Sequence, residues 1–235
     1  MKGPNDIAWV EDFLSKRVPR GDPLPLTKPL LDDEAHWFRA AIESGLFKFH
    51  ECTPGCGRLR KWDESGEDEF LTPEGHRRHL FSFATKGPCR LNREYLPHIA
   101  AVARLVLELD YRGHFSFSRY RTFSRTLINK KAGESYETDA EFYDANSSIW
   151  LHVEVKRTRQ QAEALAAALE DAGFESSLVA KELEYVLDLS PRYLWIVGAG
   201  CIDDNILAYE VGEIDGVSAN LVRLPDLPEP PDRGA

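Results

Sequence analysis

The sequence predicts a mixed α/β fold in which helices flank a central sheet. Segments that alternate polar and apolar residues, typical of strands, are interspersed with segments whose apolar residues recur every three or four positions, typical of helices. A polar turn, Asp144-Ala-Asn-Ser-Ser, joins two of the strand-like segments into a hairpin. Hydrophobic residues make up 43% of the 235 positions, which is enough for the core of one large domain with a small appendage.

The first 48 residues predict two helices joined by a proline-rich connector. The first helix covers residues 5–18, and residues 19–31 form an extended connector. The second helix, over 32–45, begins with acidic residues, which suit the positive end of the helix dipole, and it ends at Gly45. We therefore expect residues 1–48 to form a helical N-terminal region.

Residues 49–89 carry a cysteine motif that resembles a zinc knuckle. In Cys52-Thr-Pro-Gly-Cys56-Gly, the last glycine permits a positive φ, and small residues let backbone amides point at thiolate sulfur. A tetrahedral Zn²⁺ site needs four ligands. The first choice is three cysteines, Cys52, Cys56 and Cys89, with one histidine, for which His76 is the candidate and His50 and His79 stay open. The alternative pairs Cys52 and Cys56 with His76 and His79, whose i,i+3 spacing would place both histidines on one helical face.

From residue 90 the predicted elements follow in the order helix, three strands, helix and two strands. Their expected bounds are a helix over 93–110, a strand over 114–123, the hairpin within 137–158, a helix over 159–173, and strands over 192–198 and 206–211. Pro97 is compatible with the first helix because it falls in the first turn. Gly173 ends the second helix as a C-terminal cap.

The predicted hairpin brings two carboxylates and one ammonium group to the same place. With the turn centred between residues 146 and 147, Asp139 lies opposite Glu154, and paired residues are about 5 Å apart at Cβ on one sheet face. Lys156 shares that face because strand side chains alternate with period 2. Two facing carboxylates repel unless a cation neutralises them, and oxygen ligands suit Mg²⁺ or Mn²⁺. A lysine beside that metal can orient water and stabilise negative charge on a phosphate.

This pattern resembles the PD-(D/E)xK nuclease superfamily, in which a lone aspartate precedes a (D/E)-x-K strand. Asp139 matches the aspartate and Glu154-Val-Lys156 the second part, although Thr138 stands where the motif has proline. The resemblance covers about residues 90–212 and implies a restriction-endonuclease-like fold for a domain over 90–223. It implies a hydrolase that cuts phosphodiester bonds, with endo- or exonuclease activity and DNA or RNA left open and DNA favoured. Mg²⁺ or Mn²⁺ would be held by Asp139, Glu154 and the backbone carbonyl of Val155.

Other groups near the hairpin leave two interpretations open. Glu137 and Glu141 share the face of Asp139 under strict alternation, so each is either a further metal ligand or a strand-end charge. His152 comes two positions before Glu154 and either hydrogen-bonds a phosphate or has a structural role. The sequence does not choose between these readings.

The net charge of −10 opposes a nucleic-acid partner, but its distribution does not. Residues 203–235 hold eight acids and two bases, which gives −6, whereas residues 112–131 hold six bases and no acid. Phosphate binding requires local positive charge rather than a positive whole molecule. The expected nucleic-acid contacts are Arg119, Arg121, Arg125 and Arg157. Arg119 and Arg121 share parity, so both should lie on one face of their strand and Tyr120 on the other.

Hydropathy, cysteine content and the composition of the C-terminal segment limit where the protein is found and what it binds. No apolar run approaches the length of a membrane span and no signal peptide is visible, so we expect a cytoplasmic protein without membrane contact. Four cysteines without a secretory signal argue against a disulfide framework. The proline-rich, acidic segment 224–235 predicts disorder. The alternative to a nuclease is a catalytically silent module of the same fold, organised by zinc, that binds nucleic acid or protein; a homodimer or protein partner stays open.

Overall fold

The fold confirms the predicted mixed α/β class. The computed structural model describes residues 5–18, 23–49, 69–83, 89–111, 114–122, 133–171, 180–214 and 219–231. The chain divides into two compact units, Met1–Ala103 and Arg104–Ala235. The described residues contain five α-helices and a six-stranded mixed sheet, and the sheet lies in the second unit. The four-part division expected from the sequence stays a prediction.

The first unit combines three helices with short strands. Its elements are α1 (Asp6–Ser15), α2 (Asp32–Glu43), β1 (Lys48–Phe49), β2 (Glu69–Leu71), β3 (Arg77–His79), β4 (Phe81–Phe83), β5 (Cys89–Leu91) and α3 (Tyr95–Ala103). The predicted N-terminal helices therefore exist, each shorter than expected, and Gly45 follows the second one with a positive φ. Glu34 of α2 is fully buried and both of its oxygens accept hydrogen bonds from Arg93, which links α2 to the start of α3.

The segment with the two histidines is a hairpin, so the expected helical face is wrong. Thr72 and Gly75 form its turn: the amide of Gly75 donates to the Thr72 carbonyl at 2.8 Å, and Gly75 has a φ of +84°. His79 lies on β3, opposite Glu69 of β2, and His76 directly precedes that strand. Strand side chains alternate, so two positions three apart point to opposite sides. The pattern misled because a Thr-Pro-Glu start suits a helix as well as a turn.

The second unit is built around one sheet with the strand order β11-β10-β9-β8-β7-β6. Its elements are a π-helical segment (Arg104–Glu108), β6 (Phe115–Thr122), β7 (Ser135–Tyr143), β8 (Ile149–Lys156), α4 (Arg159–Asp171), α5 (Ala180–Leu189), β9 (Tyr193–Gly198), β10 (Leu207–Ile214) and β11 (Ala219–Arg223). Strands β8 and β9 run parallel, and the four other neighbouring pairs run antiparallel. A parallel pair needs a crossover, which α4 and α5 supply.

The hairpin has the predicted register. Ala140 pairs with Val153 and Phe142 with Leu151, which centres the turn between residues 146 and 147. In the turn, Oδ1 of Asp144 accepts the amides of Asn146 and Ser148 at 2.9 Å each. Asp, Asn and Ser supply the local side-chain bonds that such a turn needs.

The crossover helices cover one face of the sheet. Ala162 and Leu165 of α4 and Val186 of α5 pack with Leu194 and Ile196 of β9 in one buried cluster. Ile196 is the Cα partner of Glu154 in the parallel ladder, so the two residues lie on the same face of the sheet. The face that carries Glu154 is therefore the one that α4 and α5 cover.

The proline-rich tail accepts hydrogen bonds from two aromatic side chains. The hydroxyl of Tyr111 donates to the carbonyl of Pro228 at 2.7 Å, and Nε1 of Trp150 donates to the carbonyl of Glu229 at 3.2 Å. The disorder expected for residues 224–235 stays a prediction, and the described part of the segment, residues 224–231, contributes the two carbonyls that accept these bonds. Among the described residues, no helix has the length and apolar character needed to cross a membrane.

Candidate functional site

The candidate site is a cluster of charged side chains where β8 meets helix α5. Nζ of Lys156 donates to Oε1 of Glu154 at 2.6 Å and to Oε1 of Glu182 at 2.9 Å. Glu154 and Lys156 share a sheet face because they are two positions apart on β8. Glu182 comes from the first turn of α5. One ammonium group therefore holds two carboxylates from different elements.

The cluster is shielded from water. The side chain of Glu154 is 2% exposed, that of Glu182 is 8% and that of Lys156 is 20%. Burial by itself lowers the pKa of Lys156, but the negative charges of Glu154 and Glu182 raise that pKa above its usual range. The ammonium form of Lys156 therefore persists throughout the neutral pH range.

Asp139 lies beside the same cluster and is bonded to strand β8. Strand β6 pairs with β7 at Phe117–Ala140 and again at Arg119–Thr138, and the ladder skips Asp139 and its counterpart Ser118, which has a φ of +53°. Oδ2 of Asp139 accepts a hydrogen bond from the backbone amide of Val155 at 2.6 Å. The predicted Asp139, Glu154 and Lys156 are therefore brought together, with Asp139 bonded to the residue between the other two.

Tyr185 of α5 lies against these groups and fixes the helix above them. Its burial raises the pKa of the phenol, and the charges of Glu154, Asp139 and Glu182 raise it further. The hydroxyl donates to the backbone carbonyl of Glu137 at 3.2 Å, and the ring lies edge-on to His152 at a centroid distance of 5.5 Å. Tyr185 therefore contacts both strands of the hairpin, β7 through Glu137 and β8 through His152, and connects them to α5.

The oxygen atoms of this cluster are the type of ligand that a hard divalent cation prefers. Asp139 and Glu154 offer carboxylate oxygens, which Mg²⁺ and Mn²⁺ prefer, and the carbonyl of Val155 is the further ligand that the sequence predicts. Within the described part of the chain, no three His, Cys, Asp or Glu side chains are arranged as a metal site. In this arrangement the ammonium of Lys156 supplies the positive charge between Glu154 and Glu182. A cation at Asp139 and Glu154 would share Glu154 with that ammonium.

The predicted zinc ligands are only partly within the described residues. Cys52 and Cys56 lie outside them. Cys89 is buried on β5, and His76 is exposed ahead of β3. The first-choice set of Cys52, Cys56, Cys89 and His76 stays a prediction, and so does the zinc ion.

The predicted basic contacts divide into two kinds. Arg119 and Arg121 share a face, as expected, because both donate to the hydroxyl of Tyr143, at 2.7 and 3.1 Å. Arg121 also pairs with the fully buried Glu141, with Nε donating to Oε1 at 3.0 Å. Arg121 is therefore occupied within the fold, whereas Arg119 is exposed at the edge strand β6. Arg157 is exposed next to Lys156, and Arg125 lies outside the described residues.

Glu141 is a structural carboxylate in this arrangement. Burial raises the pKa of Glu141, but hydrogen bonds from Arg121, Tyr143 and Thr138 and the charge of Arg121 hold it below its usual value. The hydroxyl of Thr138 donates to Oε1 of Glu141 at 2.9 Å. Of the two readings that the sequence left open for Glu141, the contacts favour the structural one.

Helix α5 and its two site residues were missed by sequence reasoning. Glu182 and Tyr185 lie in a stretch between the predicted helix over 159–173 and the strand over 192–198 that was left unassigned. The signal was present, because Tyr185, Val186 and Leu189 recur at helical spacing and Ser190-Pro191 follows as a stop. A helix assigned there would have brought an additional carboxylate to the face of Glu154.

Comparison with known proteins gives no relative for this chain. It matches no family model, no curated protein and no solved structure.

Proposed function

We propose that this chain is a metal-dependent nuclease with a restriction-endonuclease-like fold, and that its substrate is DNA. The observation that supports this most is the meeting of Asp139, Glu154 and Lys156 at one junction of β7 and β8. The sequence-level resemblance to PD-(D/E)xK nucleases rests on the same three residues. The order of a helix, three strands, a crossover and further strands is also in keeping with it.

Each residue has a separate role in the proposed reaction. Asp139 and Glu154, with the carbonyl of Val155, would hold Mg²⁺ or Mn²⁺. When bound, such an ion polarises a phosphoryl oxygen and lowers the pKa of a coordinated water. Asp139 also aligns the strand β8 by accepting the amide of Val155 at 2.6 Å. The buried Glu154 orients Lys156 toward the face where the phosphate would lie.

Lys156 acts as a cation rather than as a base. Because the carboxylates of Glu154 and Glu182 raise its pKa, the ammonium does not give up its proton at neutral pH. A protonated lysine can donate a hydrogen bond to a phosphate oxygen and stabilise the negative charge that grows there. It can also orient an attacking water that another group deprotonates.

The test is cleavage of plasmid and single-stranded DNA in Mg²⁺ or Mn²⁺, with the wild type beside Asp139→Asn. Asparagine keeps an oxygen that can accept the amide of Val155 but removes the charge. We expect cleavage by the wild type and a loss of about a hundredfold or more in the variant, because carboxylate charge is needed for metal binding. Asp12→Asn is the matched control, since Asp12 is 61% exposed on α1 and pairs with Lys16. Cleavage by Asp139→Asn at the wild-type rate would remove the assignment.

A second candidate is a catalytically silent module of the same fold that binds nucleic acid. It is favoured by one observation, namely that Lys156 already donates a hydrogen bond to Glu154 and another to Glu182, so part of the negative charge of the cluster is offset without a metal. This candidate predicts salt-dependent DNA binding by the wild type, no cleavage in either ion, and no change in binding for Asp139→Asn.

The zinc ion proposed for residues 49–89 has a separate test. Elemental analysis of protein purified without added zinc measures whether the chain holds one zinc ion through its cysteines.

A further inference from the structure

An aromatic surface lies at the end of the sheet opposite to the charged cluster. Trp150 at the start of β8 and Tyr193 at the start of β9 are in edge-to-face contact at a centroid distance of 5.2 Å. The guanidinium of Arg192 lies over both rings, 4.7 Å from the centre of Trp150 and 5.4 Å from that of Tyr193. Tyr111 completes the set, and we call these four residues the aromatic groove. Six positions of an extended strand, about 20 Å, separate Trp150 from Lys156.

The tail of the chain lies on the aromatic groove and is bonded to it through backbone carbonyls. The Tyr111 hydroxyl donates to the carbonyl of Pro228, and Nε1 of Trp150 donates to the carbonyl of Glu229. Proline has no amide hydrogen, so a proline-rich segment offers acceptors without donors. The groove presents side-chain donors beside aromatic rings, which complements such a segment.

From Asp226 to Pro231, one exposed residue is followed by two half-buried ones, twice in succession, whereas the preceding Pro225 is exposed. Asp226 and Glu229 are exposed, whereas the pairs Leu227-Pro228 and Pro230-Pro231 are half-buried. A polyproline II helix has three residues per turn, so every third side chain points the same way. Within this stretch Asp226 and Glu229 form the outer edge of the segment, and Leu227 and the prolines from Pro228 onward form the edges turned toward the protein.

We propose that the aromatic groove is a docking site for an extended, acidic, proline-rich segment of a partner protein, and that the chain's own tail occupies it in cis. Aromatic-lined grooves with side-chain donors bind preformed polyproline II segments in several protein classes. The contacts to the tail are made to backbone carbonyls and do not depend on its being part of the same chain. Arg192 adds positive charge beside the rings of Trp150 and Tyr193, which attracts an acidic segment at long range while its carboxylates face outward. This inference does not depend on the proposed nuclease activity.

The tail is expected to compete with the partner segment. A tethered ligand acts at an effective concentration in the millimolar range for a short linker. A free peptide of the same sequence should therefore bind the wild-type chain weakly. Changes that weaken the tail should expose the groove, and the free peptide should then bind more tightly.

The experiment measures binding of a fluorescent peptide with the sequence of residues 224–235 to the full-length chain by fluorescence anisotropy. The receptor variant carries Leu227→Ser, Pro228→Ser and Pro230→Ser in its own tail. We expect it to bind the peptide about tenfold more tightly than the wild type does, because cis competition is reduced. Adding Trp150→Phe, which keeps an aromatic ring and removes the donor, should weaken peptide binding about fivefold. A peptide with Ala for Pro228 and Pro230 serves as the control ligand and should bind less well.

Several results would overturn the proposal. They are no peptide binding by the tail variant, equal binding by the tail variant and the wild type, or binding that Trp150→Phe leaves unchanged. Thermal melts establish that each variant is folded, so a failure to bind is informative. Concentration-dependent dimers of the wild type that disappear in the tail variant would instead assign the groove to the tail of a second copy. DNA cleavage by the tail variant is measured as well. We expect the same rate as for the wild type, so that the outcome for peptide binding and the outcome for the proposed nuclease activity can be told apart.

Discussion

Lys156 and Glu141 show how single buried charges are stabilised in this fold by different means. Lys156 has two carboxylates, and its raised pKa means that its contribution to stability is complete below about pH 10 and is lost as the pH rises through its folded pKa. Glu141 has hydrogen-bond donors instead, and its pKa is lowered. Its contribution is complete above about pH 4 and is lost as the pH falls. Between these limits both groups are charged and paired.

The first prediction separates the two carboxylates that bind Lys156. Glu182→Gln removes one of the two negative charges, so the pKa of Lys156 should fall, while Asp139 and Glu154 remain to hold a metal. We expect DNA cleavage to change by less than about tenfold. Glu154→Gln removes the same charge from the same ammonium and should abolish cleavage. An NMR titration of the lysine and a cleavage assay give the two readouts, and equal loss of activity in both variants would place Glu182 in the catalytic set.

The second prediction concerns acid stability. Glu141→Gln leaves Arg121 without its buried anion, so the free energy of unfolding at pH 7 should fall by about 2–4 kcal/mol. The difference from the wild type should shrink as the pH falls below about 4, because the unfolded chain then binds a proton at Glu141, and the difference is smallest once the pH has fallen through the lower folded pKa. Denaturant unfolding at pH 7 and pH 3 measures both effects. Glu163→Gln breaks the exposed pair with Arg159 and should cost less than about 0.5 kcal/mol at either pH; a similar loss for Glu141→Gln would contradict the structural role.

At the scale of the element, the position of β8 depends on a close approach to β9. Gly198 of β9 pairs with Lys156, and a Cβ at Gly198 would lie 2.7 Å from the carbonyl oxygen of Thr158 and 3.1 Å from that of Lys156. Thr158 also begins α4, because its carbonyl accepts the amide of Ala162 at 3.1 Å. The turn from the lysine to the crossover helix therefore packs directly on a residue without a side chain.

The third prediction follows from that packing. Gly198→Ala forces backbone atoms apart, so it should lower the free energy of unfolding by about 1–3 kcal/mol and reduce cleavage by displacing Lys156. Gly212→Ala is the matched control in the neighbouring strand β10, where the nearest atom to an added Cβ is 3.3 Å away. Chemical denaturation and a cleavage assay compare the two variants. If Gly212→Ala costs as much as Gly198→Ala, the close approach does not explain the effect.

The elements that sequence reasoning recovered are those governed by local rules. The hairpin was placed in register because the period of 2 and an Asp-Asn-Ser turn define it within about twenty residues. The proximity of Asp139 to β8 followed from that register, but the break in the ladder at Ser118 did not, since nothing in its own sequence demands a positive φ. Helix α5 also follows a local rule, because Tyr185, Val186 and Leu189 recur at helical spacing. The contacts of Glu182 depend on how α5 packs, which is a tertiary property.

For the whole molecule, composition predicts the fold class but does not describe individual segments and surfaces. The composition of the acidic, proline-rich tail predicts disorder, but it does not indicate that Tyr111 and Trp150 donate hydrogen bonds to two of the tail's carbonyls. The net charge of −10 likewise describes an average that need not apply to any one surface. At the edge strand β6, Arg119 is exposed and Arg121 is engaged with Glu141. The structure thus distinguishes two arginines that the sequence treats alike.

The last prediction tests whether the β6 edge contacts DNA. A phosphate contact contributes about one unit to the slope of log affinity against log salt concentration. Arg119→Ala should therefore weaken DNA binding and reduce that slope by about one unit, measured by fluorescence anisotropy in Ca²⁺ to block cleavage. Arg223→Ala is the matched control, because Arg223 lies on the opposite edge strand β11 and donates to the hydroxyl of Tyr209 at 3.0 Å, as Arg119 does to Tyr143. Arg223→Ala should leave the slope unchanged, and Arg121→Ala should chiefly lower stability, because it leaves the buried Glu141 without its cation. A slope for Arg119→Ala equal to that of the wild type would exclude this edge as the DNA-contacting surface.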